Sequence, residues 1–241
     1  MMVFDADAIE VLTFDIFGTV LDWRSTIVEE VSTIGQGLYV QEDWVAFANA
    51  WRSMYSFMLG RVNAGQLPWT DLEGLNAAIL AQILPDYGLA ALDDGERASL
   101  SRAWRRLQPW PDTLAALARL RQRYLLAALS NGNMALLAHV SRHAGLGWHA
   151  VFSAELVQRY KPDPALYTEA ARMLKVDPSR IMMVAAHPSD LLAAQRVGFR
   201  TAYVERPSEF DIAHADTVDP MTAFDLVVPD LGALASSLGL S

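Results

Sequence analysis

Val11-Leu12-Thr13-Phe14 is a short apolar, β-branched run that stops abruptly at an acid, Asp15. Such a run predicts a buried strand. Gly18 follows, where the chain can turn with positive φ at no Cβ cost. After Asp22 the period changes from strand to helix, and from Ser25 to about Arg105 no strand is predicted. Trp44, Phe47, Trp51, Met54, Tyr55 and Met58 recur at spacings of three and four, the mark of an amphipathic helix, with Arg52 at the edge of the stripe. Gly60 to Trp69 reads as a connection, and further helices are predicted over Leu72 to Ile83 and Asp94 to Arg106.

From Pro109 strands and helices alternate. A helix opens at Pro111-Asp112 and runs to about Arg123, with Leu114, Leu117 and Leu120 on one face. Leu125 to Leu129 predicts a strand ending at Ser130-Asn131-Gly132-Asn133, followed by a helix to about Ala144. Val151 to Ser153 is a short strand. Tyr160-Lys161-Pro162-Asp163-Pro164 then starts a helix through Tyr167 to about Leu174, with Asp163 a suitable N-cap. Ile181 to Ala185 is a strand, Ala186-His187-Pro188-Ser189-Asp190 leads into a helix ending at Gly198, and Thr201 to Val204 and Leu226 to Val228 complete a sheet. This alternation predicts an α/β fold, a Rossmann-like doubly wound parallel sheet with helices on both faces. In such a sheet the carboxyl ends of the strands share one edge, so Asp15, Ser130-Asn131, Lys161 and Asp190 converge there.

Composition narrows the chemistry. The 241 residues suffice for an α/β core plus an inserted subdomain, and about half are apolar (52%). No Cys is present, which removes disulfides, thiolate nucleophiles and Cys-ligated metals together. The net charge of −9 disfavours nucleic acid and anionic membranes as partners, and any anionic substrate must be held by local positive charge. No apolar run reaches the length of a membrane span, and Met1 to Glu10 lacks the basic-then-apolar order of a signal peptide, so the expected location is cytoplasmic. Glu155, Asp211 and His214 lie in polar stretches and are assigned no role.

Four segments, taken in order, resemble the motifs of the haloacid dehalogenase superfamily. Asp15 stands where the nucleophile stands, Ser130-Asn131 is similar to the second motif, Lys161 to the third and Asp190 to the fourth. The resemblance implies a core domain of residues 1–22 and 107–241 and a helical cap subdomain of residues 23–106. Phosphatases of the superfamily carry a general-acid Asp two residues after the nucleophile, and a metal-binding acid in the fourth motif. Here those positions hold Phe17 and Ala186. A hard cation needs oxygen ligands, which a methyl group does not supply. The closer resemblance is to the type II 2-haloacid dehalogenases, in Phe14-Asp15-Ile16-Phe17-Gly18-Thr19-Val20, in Trp51-Arg52 and in Tyr160-Lys161-Pro162-Asp163-Pro164 with Tyr167. A departure is Ala185 and His187, where the better-known members have Ser and Asn.

That resemblance implies two-step covalent hydrolysis of a short (S)-2-haloalkanoate to the (R)-2-hydroxyacid, with no metal and no cofactor. Asp15 would displace halide, and water would then cleave the resulting ester. Lys161 would keep Asp15 ionised, and Thr19 would fix its rotamer. The Ser130 hydroxyl and the amides after Asp15, at Ile16 and Phe17, would receive the substrate carboxylate. Arg52 and Asn131 would receive the halide, Tyr167 would belong to the substrate site, and Phe17 would wall the pocket. The base for the water would be Asp190 or His187. A homodimer is the expected assembly. Three alternatives stay open at this point: a covalent hydrolase acting on another carbon electrophile, a Mg²⁺-dependent phosphatase with unusual ligands, and a non-catalytic member.

Overall fold

The computed structural model describes residues 5–38, 40, 42–210 and 219–240; Asp211 and His214 lie outside them. In chain order the elements are β1 (Val11–Phe14), β2 (Leu21–Asp22), α1 (Trp23–Gly37), α2 (Trp44–Asn63), α3 (Leu72–Ile83), α4 (Asp94–Ser101), β3 (Gln108–Pro109) and α5 (Thr113–Leu120). They continue with β4 (Leu125–Ser130), α6 (Met134–Ala144), β5 (Ala150–Ser153), α7 (Ala165–Leu174), β6 (Ile181–Ala185), α8 (Pro188–Arg196), β7 (Arg200–Val204), α9 (Pro220–Ala223), β8 (Leu226–Val228) and α10 (Leu231–Ser237).

Six strands form one parallel sheet in the order β5-β4-β1-β6-β7-β8. Every residue of β1 is buried, as a central strand covered on both faces requires. Phe14 is in register with Ala128 on one side and Val184 on the other. Asp15, Ser130 and Ala186 therefore leave the sheet within a residue or two of one another, at the point where the strand order reverses. The predicted α/β fold is the observed one.

The helical segment α1 to α4 leaves and rejoins the sheet region through β2 and β3, which pair antiparallel (Leu21 with Pro109, Asp22 with Gln108). Two-residue strands carry no period, and the ribbon was not predicted. Nor was α10. In α5 the buried face is Thr113, Ala116, Leu117 and Leu120, while Leu114 is exposed, contrary to the leucine stripe expected from spacing alone. The Thr113 hydroxyl donates to the Val20 carbonyl at 3.0 Å, and this anchor turns the helix away from the Leu114 side.

Aromatic packing joins the helical segment to the sheet. Trp104 is 1% exposed, lies parallel to Trp23 and Tyr55, and meets Phe17 and Trp51 edge-on. Asn63 at the end of α2 holds the segment before Lys161 through both its amide atoms, accepting from the Tyr160 amide at 2.9 Å and donating to its carbonyl at 2.7 Å. Trp104→Ala removes the hub of this packing and is expected to cost about 3–5 kcal/mol of stability, read from urea unfolding. A loss under about 1 kcal/mol would show that the neighbouring rings close the gap unaided.

Candidate active site

Asp15 lies just past the end of β1, 6% exposed, with its backbone amide donating to Val184 O. The loop after it is held from several sides. Gly18 has a φ of +99°, its amide donates to Leu21 O at 3.0 Å, and its carbonyl accepts from Trp110 Nε1 at 2.9 Å. Arg206 Nε donates to Thr19 O at 3.0 Å. The Ile16 and Phe17 amides are taken up by no hydrogen bond among the described residues.

Three donors converge on the Asp15 carboxylate. Lys161 Nζ donates to Oδ1 at 2.9 Å; Thr19 Oγ1 and His187 Nδ1 donate to Oδ2 at 2.8 and 3.1 Å. The Thr19 hydroxyl in turn accepts from the Ala186 amide at 2.9 Å, which fixes its direction. Burial alone would raise the Asp15 pKa, but the Lys161 ammonium and the bonds from His187 outweigh it and hold the carboxyl well below the usual range. Asp15 is thus a carboxylate at neutral pH.

Lys161 Nζ also donates to Asp190 Oδ2 at 2.5 Å and to the Leu129 carbonyl at 2.9 Å. Although burial opposes it, the two carboxylates keep the ammonium charged. The backbone of Lys161 is set by Asn131, whose Oδ1 accepts the Lys161 amide at 2.7 Å. Asp190 does not cap its own helix: His187 is the N-cap of α8 and makes no side-chain cap bond. The Asp190 carboxylate turns instead to Lys161 and to the Tyr167 hydroxyl, which donates to Oδ1. Burial, with the Asp15 charge, pushes Asp190 up from the ordinary value.

These groups floor a cavity of about 280 Å³, lined by Asp15, Phe17, Arg52, Asn131, Lys161 and His187 among others. That is at the small end of the volumes of ligand pockets, roughly 300–1,000 Å³. Arg52 reaches in from α2 with its guanidinium 4.4 Å from the Tyr55 ring centroid and 5.7 Å from that of Trp23. Its Nε and Nη1 are buried and meet no hydrogen-bond partner among the described residues. Buried donors of this kind are costly until an acceptor arrives, and an anion in the cavity would supply one.

Two expected site residues stand elsewhere. Tyr167 is fully buried behind Asp190 and does not line the cavity. Ser130 is also fully buried, with its hydroxyl accepting from the Gly132 amide at 3.2 Å, and it too is absent from the cavity wall. The Ile16 side chain packs in the core, leaving only its amide for the site.

One charged residue of the site carries no mark in the sequence. Glu209, in the loop after β7, is 2% exposed. Its Oε1 accepts from Trp23 Nε1 at 2.9 Å and from His187 Nε2 at 3.1 Å. A side chain at Gly18 would collide with its carboxylate. Burial opposes its charge, but His187 and Arg52 hold it below the usual glutamate value. His187 is therefore clamped between two carboxylates; burial works against the imidazolium, yet Glu209 and Asp15 raise its pKa to about 10. No pattern in the sequence around Glu209 marks it, because its partners are more than 20 residues away along the chain.

The site does not suit a divalent cation. The Lys161 ammonium bridges the two carboxylates that would share the metal, and the Ala186 side chain is a methyl group with no oxygen to offer.

Residues 9–198 match the family model of the haloacid dehalogenase-like hydrolases. The chain belongs to this family. It is 30% identical over 249 residues to an (S)-2-haloacid dehalogenase of Xanthobacter autotrophicus, covering 94% of this chain and 93% of that protein. It superposes on the crystal structure of an L-2-haloacid dehalogenase with a TM-score of 0.90 and 39% identity, over 96% of this chain and 99% of the other. A structure of L-2-haloacid dehalogenase from Xanthobacter autotrophicus with chloropropionic acid covalently bound aligns with a TM-score of 0.79 and 25% identity, over 96% and 98% of the two chains. Among the described residues no helix is long and apolar enough to cross a membrane.

His187 contributes stability that is fully present below about pH 6.5 and is lost as pH rises towards 10, because the fold raises its pKa. Asp15 has the opposite sign, contributing above the ordinary carboxylate pKa of 3.8 and losing that contribution as pH falls through its depressed value. Chemical unfolding at pH 6.5 and at pH 10 is expected to show a larger loss for wild type than for His187→Gln. The difference should be on the order of 2 kcal/mol, since the His187 side chain is 24% exposed and partly screened. Equal losses would mean that His187 is neutral in the native state.

Proposed function

We propose that the protein hydrolyses the carbon–halogen bond of short (S)-2-haloalkanoic acids, giving (R)-2-hydroxyacids with inversion, through an ester on Asp15 and without a metal. The observation that carries this reading is an ionised Asp15 carboxylate facing, across a small cavity, an arginine with two buried and unpartnered donors. The resemblance to (S)-2-haloacid dehalogenases, one of which holds chloropropionic acid covalently, supports it.

In the first step an Asp15 oxygen attacks the α-carbon from the face opposite the halogen. The C–O bond forms as the C–X bond breaks, and the halide leaves with the electron pair. The nucleophile and the substrate carboxylate are both anions, so the second must be held off by donors. The free amides of Ile16 and Phe17 form one such cradle. Ser130 has no place on the wall of this cavity and contributes through the turn it holds at Gly132. Arg52 and the Asn131 amide group receive the departing halide, where charge develops in the transition state. Phe17 and the rings around Arg52 keep water from the leaving group until the ester has formed. In the second step water adds to the carboxyl carbon of Asp15. Collapse expels the 2-hydroxyacid and restores the carboxylate. Tyr167 acts at one remove, holding Asp190 against Lys161.

Halide release from the two enantiomers of 2-chloropropionate, measured with chelator present, tests this assignment. The expected result is release from the (S) form alone with (R)-lactate as product. Release from neither enantiomer, or release abolished by chelator, would refute it. Arg52→Ala is expected to lower kcat by about 10²–10³-fold for chloride as leaving group. A change under about threefold would remove Arg52 from the halide site.

A further inference from the structure

One wall of the cavity supplies neither the nucleophile nor the halide site: His187 and, behind it, Glu209. We propose that these two residues form a carboxylate–imidazole pair in which His187 is the general base for hydrolysis of the Asp15 ester and Glu209 is the positioning residue that orients and balances its ring. The proposal rests on Asp15 being the nucleophile.

The geometry separates the two ring nitrogens. Nε2 bonds Glu209 Oε1 at 3.1 Å, and that oxygen is itself fixed by Trp23 Nε1 at 2.9 Å. Nδ1 points the other way, to Asp15 Oδ2 at 3.1 Å. Glu209 thus keeps the proton on Nε2, and the nitrogen beside the Asp15 carboxyl is the one free to change its protonation state. His187 and Asp15 both line the cavity, so water that enters it meets Nδ1 beside the Asp15 carboxyl.

Forming the ester moves the two candidate bases in opposite directions. Asp190 shares Lys161 with Asp15. Once Asp15 is esterified its charge is gone, Lys161 faces Asp190 alone, and both Asp190 oxygens stay engaged, one by the ammonium and the other by the Tyr167 hydroxyl. Its basicity falls. His187 loses one of its two anionic partners at the same moment, so its Nδ1 proton is more easily released. The groups facing His187 are Asp15 from the loop after β1 and Glu209 from the loop after β7. Arg52 from α2 acts on Glu209, and Lys161 and Asp190 share the cavity.

The protons balance. The imidazolium of the free enzyme gives its Nδ1 proton to solvent after halide departs, which is the proton that the net reaction releases. Neutral His187 then takes a proton from water as the water oxygen bonds to the Asp15 carboxyl carbon. The tetrahedral species breaks its bond to the alkoxide, which takes the remaining proton of the former water. Asp15 is again a carboxylate and His187 again an imidazolium.

Single-turnover kinetics with excess enzyme and (S)-2-chloropropionate test this in Glu209→Gln and His187→Gln. Halide release reads the first step, and intact-protein mass spectrometry reads the Asp15 ester. Both variants should release halide within about tenfold of the wild-type rate and then hold the ester. Its decay should be slowed about 10²-fold or more in His187→Gln. In Glu209→Gln the acid limb of ester decay should also move to lower pH by about one unit, because a charge beside the ring is lost; a merely structural role would not move that limb. Glu209→Asp, which keeps the charge, should recover part of the rate. If Glu209→Gln does not fold, ester decay in His187→Gln still tests the base, and ester decay in Glu209→Asp slower than in wild type tests the positioning residue. Ester decay at the wild-type rate in His187→Gln would overturn the proposal and return the base to Asp190. Absence of halide release and of any ester in the wild type would instead overturn the reading of Asp15.

Discussion

The structure turns on one buried ammonium. Lys161 Nζ lies 2.9 Å from Asp15 and 2.5 Å from Asp190, and neither carboxylate has appreciable contact with solvent. Two buried carboxylates that close to one cation would otherwise repel, and one would take up a proton. The cation lets both carboxylates keep their charge and fixes how the ends of β1, β4 and β6 meet, since its third bond is to the Leu129 carbonyl of β4. Removing one member of such a cluster leaves an uncompensated buried charge, which typically costs about 3–5 kcal/mol.

The same accounting extends outward. Asp15, Asp190 and Glu209 supply three negative charges; Lys161, His187 and Arg52 supply three positive ones. The cavity wall is therefore neutral as a whole, although the chain carries a net charge of −9. An arriving carboxylate meets balanced charges and a few free donors rather than the acidic surface of the molecule. In the proposed reaction, displacing halide would replace one anion, Asp15, with another, X⁻, lodged nearer Arg52. The charge moves across the site while the wall around it stays in place, which is the arrangement a preorganised electrostatic site requires.

Much of this was legible in the sequence, for identifiable reasons. A buried run that stops at Asp15, and later runs that stop at Ser130 and Ala185, define strands whose ends must share an edge, so the fold and the meeting of Asp15, Lys161 and Asp190 follow from period and order. What was hidden depends on direction rather than position. Tyr167 is placed by its helix and faces Asp190, not the cavity, and no spacing rule says which way a buried ring turns. Ser130 is spent on its own turn. Trp104 reads as one more apolar position, yet it packs against four other rings, two stacked and two edge-on. Glu209 is the extreme case: a charged residue in a polar loop has every sequence mark of a solvated one, and only the fold puts Trp23, Gly18 and His187 around it.

The most direct test of covalent hydrolysis at Asp15 is to follow where the water oxygen goes. A single turnover of (S)-2-chloropropionate is run in H₂¹⁸O with enzyme in excess, and the 2-hydroxyacid and the Asp15 peptide are both weighed. An ester on Asp15 predicts unlabelled product, whose new oxygen came from the carboxylate, and ¹⁸O in the Asp15 peptide. Label in the product and none in the peptide would mean that water attacks the substrate directly, and would contradict the role given to Asp15.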